Sequence, residues 1–166
     1  DLGDPDILDL SYSNYTYSLW FRTDATTDNY YILSKYQTYG ANAFGIGTTG
    51  RDYLYSFFAG DNISDNAEFR GTKNINDGQW HHVVMVLDLT SNEYKIYLDG
   101  ALESTQNFPA TSSGIDNGYP LLIGKQVNGQ NFDGSIDDLR VYNRVLSGAE
   151  VTTLYESELS PPNNNI

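Results

Sequence analysis

The sequence predicts an all-β antiparallel sandwich, and three observations carry that prediction. Turn dipeptides punctuate the chain: Asp77-Gly78, Asp99-Gly100, Asn117-Gly118, Asn128-Gly129 and Asp133-Gly134 all supply residues that tolerate positive φ. Between them lie short runs rich in Tyr, Val, Ile, Thr and Phe, the residues that fit a pleated, half-buried surface. No rhythm of strand, helix and parallel strand runs through the chain, so a helix-covered parallel sheet is excluded. Jelly-roll connectivity is one solution among the sandwiches, and periodicity alone does not choose it.

The elements follow in order. Tyr15 to Thr23 alternates, with Tyr17, Leu19 and Phe21 on one face and Ser18, Trp20 and Arg22 on the other. Tyr30 to Tyr36 and Ala43 to Thr48 read as the next two strands. Arg51 to Ala59 places Arg51, Tyr53, Tyr55 and Phe57 on one face, and Leu54 and Phe58 on the other. His81 to Leu89 is apolar on both parities, which predicts a central strand covered on both sides. It turns through residues 88–93 into Tyr94 to Asp99 as an antiparallel hairpin. Tyr119 to Lys125 and Ser135 to Val145 complete the strands. One helix is predicted, from about Gly148 to Glu156. Ser147 and Glu150 form a capping box, and Val151, Leu154 and Tyr155 make a one-sided apolar stripe.

Composition excludes several classes. The chain of 166 residues suits one domain with its own core. It has no Cys, which removes disulfides and thiolate metal sites. Nine Lys and Arg against 22 Asp and Glu give a net charge of −13. Nucleic acid is therefore not an expected partner, and an anionic membrane surface would repel the chain. No run approaches the ~20 apolar residues of a spanning helix, so membrane insertion is not expected.

Four segments carry a resemblance. They are Gln79-Trp80-His81-His82-Val83-Val84, Tyr94-Lys95-Ile96-Tyr97-Leu98-Asp99-Gly100, Phe132-Asp133-Gly134-Ser135-Ile136-Asp137-Asp138-Leu139-Arg140-Val141-Tyr142-Asn143-Arg144, and Val145-Leu146-Ser147-Gly148-Ala149-Glu150-Val151. In this order they resemble the laminin-G-like, concanavalin A-like jelly-roll family of bacterial extracellular proteins. The resemblance implies a two-sheet antiparallel jelly-roll sandwich with one short C-terminal helix. It implies a domain over residues 1–158 with a linker-like tail, 159–166. Asp1-Leu2-Gly3-Asp4 looks like the end of the family's first strand, so the sequence reads as short of that strand. The implied setting is extracellular, secreted or attached to a cell surface, within a larger protein.

Parity places Asp137 with Leu139 and Val141, so Asp137 is expected to point inward if those two face the core. An inward carboxylate must be paired, hydrogen-bonded or bound to metal. Many members of the resembled family hold Ca²⁺ near this motif, and the resemblance nominates Asp137, with Asp138 beside it, as ligands. Backbone N–H groups are the other partners open to Asp137. His81 and His82 are adjacent on a strand, point to opposite faces and cannot hold one ion together.

The fourteen Tyr, seven Phe and two Trp have two readings: Tyr17, Phe21, Phe44, Phe58 and Tyr97 fill a sandwich core or cover a sheet, and other tyrosines sit where core packing is less natural. Tyr36 and Tyr39 flank a Gly- and Asn-bearing loop, and Arg51, Tyr53 and Tyr55 share a strand face. Aromatic rings stack on the C–H face of a sugar, and polar side chains take its hydroxyls, so these five are the predicted carbohydrate-binding residues. The same mixture suits a protein interface. The expected function is thus a non-catalytic, lectin-like module for a polysaccharide or other glycan. Net charge favours a neutral one. The alternative is a cell-surface adhesion or protein-interaction module. Catalytic motifs of related jelly rolls are absent: no paired-carboxylate strand for glycoside hydrolysis, which needs two carboxyls about 5 Å apart in retaining enzymes, and no Gly-x-Ser-x-Gly elbow.

Overall fold

A computed structural model describes residues 10–11, 13–25, 31–35, 43–49, 52–60, 66–109, 114–115, 118–125 and 131–159. The strands are β1 (Leu10–Ser11), β2 (Tyr15–Arg22), β3 (Tyr31–Lys35), β4 (Ala43–Thr49), β5 (Tyr53–Ala59), β6 (Asn66–Asn74), β7 (His81–Asp88), β8 (Glu93–Leu98), β9 (Ala101–Asn107), β10 (Gly114–Ile115), β11 (Leu122–Ile123) and β12 (Ser135–Tyr142). One helix follows, α1 (Gly148–Glu158). Two five-stranded antiparallel sheets run in the orders β12-β2-β7-β8-β9 and β11-β3-β4-β5-β6, and β1 pairs with β10. The predicted jelly-roll sandwich is what forms.

The inward residues of β2, Tyr17, Leu19 and Phe21, meet Phe44 and Ile46 of β4 and Leu54 and Phe58 of β5 in one core. The predicted central strand β7 has two apolar faces because two layers cover it. Val83, Met85 and Leu87 enter that core, while Val84 and Val86 pack outward against Tyr97, Leu146 and Val151. Helix α1 forms the second cover. Ser147 Oγ accepts the Glu150 N–H and the Glu150 side chain accepts the Ser147 N–H, closing the predicted capping box. Asp99 and Gly100, at φ 52° and 75°, make the tight turn between β8 and β9. A Cβ on Gly100 would also lie 2.8 Å from the Tyr155 ring, which packs over the turn.

One predicted strand shortens, and two strands appear that the sequence does not announce. The predicted strand Tyr119 to Lys125 shrinks to Leu122–Ile123, since Pro120 has no N–H to donate and Gly118 and Gly124 adopt positive φ. Strands β6 and β9 are not evident in the sequence. Both are polar edge strands, joined across the sandwich by Gln106, whose amide donates to the Glu68 carbonyl and accepts its N–H. Tyr97, expected either in the core or covering a sheet, covers the outer face of its sheet beneath α1.

Two buried tyrosines predict opposite mutational outcomes. Tyr94 donates to Ser56 Oγ, which donates in turn to the Gly45 carbonyl at 2.9 Å, a relay from one sheet to the other. Tyr17 is as deeply buried, yet its hydroxyl has no partner among the described residues. Tyr94→Phe should cost about 1 kcal/mol, whereas Tyr17→Phe should be neutral or stabilising by up to about 1 kcal/mol. Urea denaturation of the two variants checks this, and equal losses would contradict it.

Candidate functional site

The outward face of β5 is aromatic because its inward positions are taken by Leu54, Ser56 and Phe58, all fully buried. Tyr53, Tyr55 and Phe57 therefore share the outer face, as the alternation predicts. Across from them β4 presents glycine: Gly47 opposes Tyr55 and Gly45 opposes Phe57. The glycines make room for rings. A Cβ on Gly45 would lie 2.6 Å from ring carbons of both Tyr31 and Phe57. Tyr31 meets Phe57 edge-on at 6.3 Å, and Tyr55 lies 6.0 Å from Phe57.

Strand β6 adds the polar rim. Arg70 opposes Tyr55 and Glu68 opposes Phe57. The Arg70 guanidinium sits 5.4 Å over the Tyr55 ring and pairs with Glu68 at 2.8 Å. Tyr55 and Phe57 are buried within the row, and Tyr53, at 39% exposure, is its open end. Tyr53 alone offers an accessible ring, and Arg70 and Glu68 stand exposed further along the same face, the kinds of group that suit a ligand with one C–H face and a hydroxyl rim.

Of the five predicted carbohydrate-binding residues, Tyr53 and Tyr55 share this face; Tyr36, Tyr39 and Arg51 lie outside the described residues. Sequence reasoning misses Arg70 and Glu68 because β6 is too polar to stand out as a strand. The alternation Ala67, Glu68, Phe69, Arg70 is the signal that could have found them. Lys35 on β3 is buried and donates to the Tyr119 carbonyl at 2.6 Å.

The expected inward position of Asp137 is corrected. Asp137 opposes Trp20 and Arg140 opposes Ser18, so β12 carries three residues where β2 carries two. Asp138, at φ 50°, is the extra residue of this bulge. The bulge reverses the parity: Ile136 and Leu139 pack against the core, and Asp137 is exposed on the outer face. Asp137 Oδ1 accepts the Asp138 N–H at 2.8 Å. Asp138 is also exposed and takes Arg140 with both oxygens, at 3.1 and 2.6 Å. Ca²⁺ requires six to eight oxygens, and this pair leaves one carboxylate oxygen without a partner among the described residues. As arranged, the two do not fit the ion.

The histidines do separate to opposite faces. His81 bridges Asp99 at 3.0 Å and Asp77 at 3.2 Å, and the bond to Asp99 leads in raising its pKa. His82 lies beneath α1, its Nε2 2.7 Å from Ser18 Oγ, its ring flanked by Trp20 and Tyr155. A serine next to a histidine has the form of a nucleophile and its base. Here both are sealed from solvent, with Ser18 at 1% exposure and His82 at 0%, so no substrate reaches them.

Two five-stranded antiparallel sheets with a row of rings on one outer face define a class, the lectin-like jelly-roll sandwich. The chain belongs to the concanavalin A-like lectin/glucanases superfamily, whose family model matches residues 3–152. It is 24% identical over 152 residues to the rat sushi, von Willebrand factor type A, EGF and pentraxin domain-containing protein 1, covering 87% of this chain and 4% of that protein. Its fold matches the binding domain of Paraclostridial Mosquitocidal Protein 1 with a TM-score of 0.74 at 19% identity, over 95% of this chain and 40% of that one. Domain 4 of AbnA, an extracellular arabinanase from Geobacillus stearothermophilus, in complex with arabinotriose, matches at 0.65 and 24% identity, over 89% and 68%. The Ruminococcus gnavus IT-sialidase CBM40 bound to α2,3 sialyllactose matches at 0.69 and 18%, over 87% and 84%.

Proposed function

We propose that the domain is a non-catalytic glycan-binding module of an extracellular protein, and that it favours neutral glycans. The observation that carries this reading is the outer face of β5, where exposed Tyr53 continues a row of rings flanked by Arg70 and Glu68. Similar folds in complex with arabinotriose and with sialyllactose support the ligand class. The net charge of −13 supports the preference for neutral sugars.

A glycan array with affinity-gel follow-up tests the reading. Tyr53→Ala should weaken binding about tenfold or more, equal to about 1.4 kcal/mol, and change stability by less than about 0.5 kcal/mol. Binding that Tyr53→Ala leaves intact would remove the face from the proposal. A folded domain blind to every glycan, yet retaining a cell-surface protein, would favour the adhesion reading. That reading draws on the same Tyr, Phe and Arg composition, which protein interfaces share.

The Ca²⁺ ion is a separate proposal, because Asp138 would have to exchange Arg140 for it. The observed pairing predicts superimposable melting curves in EDTA and in millimolar Ca²⁺. A rise in Tm with Ca²⁺ that Asp137→Asn abolishes would restore the ion.

A further inference from the structure

The outer face of the other sheet carries an aromatic–cation pair of its own, remote from the Tyr53 row. Phe21 pairs with His81 at the end of the β2–β7 ladder, and Arg22 and Trp80 lie one position beyond that pair, Trp80 just before β7 begins. Alternation puts Arg22 on the side of Trp20 and Ser18, and Trp80 on the side of His82. Helix α1 covers Trp20 and His82 through Tyr155 but leaves Trp80 40% exposed. The Arg22 guanidinium lies 5.2 Å from the Trp80 ring centroid. Arg22 is exposed, and among the described residues its guanidinium forms no hydrogen bond and no ion pair. In a chain with 22 acidic residues and nine basic ones, an unpaired guanidinium with five free donors is a notable departure.

The bulge in β12 supplies the complement. It turns Asp137 onto this same face, diagonal to Arg22, which opposes Ser135. The Oδ2 atom of Asp137 has no partner among the described residues. The backbone beneath is held in place: Gly78 N donates to the Thr23 carbonyl at 3.0 Å, Thr23 Oγ1 to the Asp133 carbonyl at 2.7 Å, and Asn76 Nδ2 to the Ala25 carbonyl at 2.6 Å. A fixed ring, a free donor fork and a free acceptor thus meet on one surface.

We infer that Trp80, Arg22 and Asp137 form a second glycan-binding site, on the sheet opposite the Tyr53 face. Its ligand is one sugar ring of a neutral oligosaccharide, stacked on Trp80 with its hydroxyls on Arg22 and Asp137. Asp24, Asp77 and Asp133 stand on the surrounding loops, so an acidic sugar meets net repulsion there despite Arg22. The site shares a ligand class with the Tyr53 face but does not depend on it.

Titration of the ¹⁵N-labelled protein with arabinotriose, cellotriose and sialyllactose tests the inference, reading the two indole N–H signals. Trp80→Phe assigns them, and the Trp20 N–H is already held by Glu158 at 2.6 Å. The expected result is a saturable shift of the Trp80 signal with a neutral probe. Trp80→Ala and Arg22→Ala should each weaken that binding about tenfold, with Tyr53→Ala leaving it unchanged. A Trp80 signal unmoved by every neutral probe overturns the inference, as does a shift that Arg22→Ala and Asp137→Asn leave unaltered. Tighter binding of sialyllactose overturns the ligand class. Binding lost in Tyr53→Ala but retained in Trp80→Ala overturns this site and leaves the Tyr53 face standing.

Discussion

Acidification from pH 6.5 to about 4 is expected to remove about 3 kcal/mol of folding stability through His82 alone. Burial is the main cause, and it pulls the His82 pKa from 6.5 down to about 4. Its Nε2 is committed to Ser18, its Nδ1 has no partner among the described residues, and the rings of Trp20 and Tyr155 close over it. The folded state therefore takes up a proton less readily than the unfolded chain. The stability contributed is fully present above pH 6.5 and is lost as pH falls toward 4. His81 acts with the opposite sign. Its pKa is raised, first by Asp99, so its contribution is present below pH 6.5 and fades as pH rises through its folded value. Adjacent residues on one strand thus oppose each other, because one bears two carboxylates at the rim and the other lies sealed under α1. Urea denaturation at intervals between pH 7 and about 4.5 separates them. His82→Gln should flatten the acid limb relative to the parent chain. Identical limbs would show that His82 is not the group responsible.

What the sequence reveals follows a physical division. Strands with one strongly apolar parity, such as β2 and β5, and the doubly apolar β7 can be read directly, because burial writes its period into them. Strands β6 and β9 cannot. As edge strands they carry Lys73, Glu103, Gln106 and a 54% exposed Leu102, and their role depends on contacts with each other across the sandwich. The candidate site divides in the same way. Tyr53 and Tyr55 follow from alternation within one strand, whereas Arg70 reaches Tyr55 only through the β5–β6 register. Asp137 shows how local the failure can be. One residue in the left-handed region at Asp138 inverts the parity of the strand that precedes it, and a carboxylate assigned to the core becomes a surface acceptor. β12 itself is legible and only the face of Asp137 is not, whereas the helix start is fully specified, because Ser147 and Glu150 fix it through contacts three residues apart.

Truncation of Phe58 to alanine should damage the fold more than any loss at Tyr94 or His82, costing about 3–5 kcal/mol. Phe58 is fully buried on the inward face of β5, where it joins the two sheets. Its ring lies 4.9 Å from Phe108, beyond the end of β9, and stacks with Tyr94 of β8 at 6.3 Å. Removing it opens a void between residues anchored on two sheets. Tyr94 is further restrained by its bond to Ser56, so the surrounding side chains have little freedom to collapse inward. In a domain of this length the loss corresponds to a fall in Tm of about 10 °C or more. The contrast with Tyr53→Ala, five residues earlier and expected to cost less than about 0.5 kcal/mol, separates the two faces of one strand. If both variants melt within a degree or two of the parent, β5 is not the wall between core and binding face. If Phe58→Ala alone melts early, the inward half of its alternation holds the sandwich together, and the outward half is free to serve a ligand.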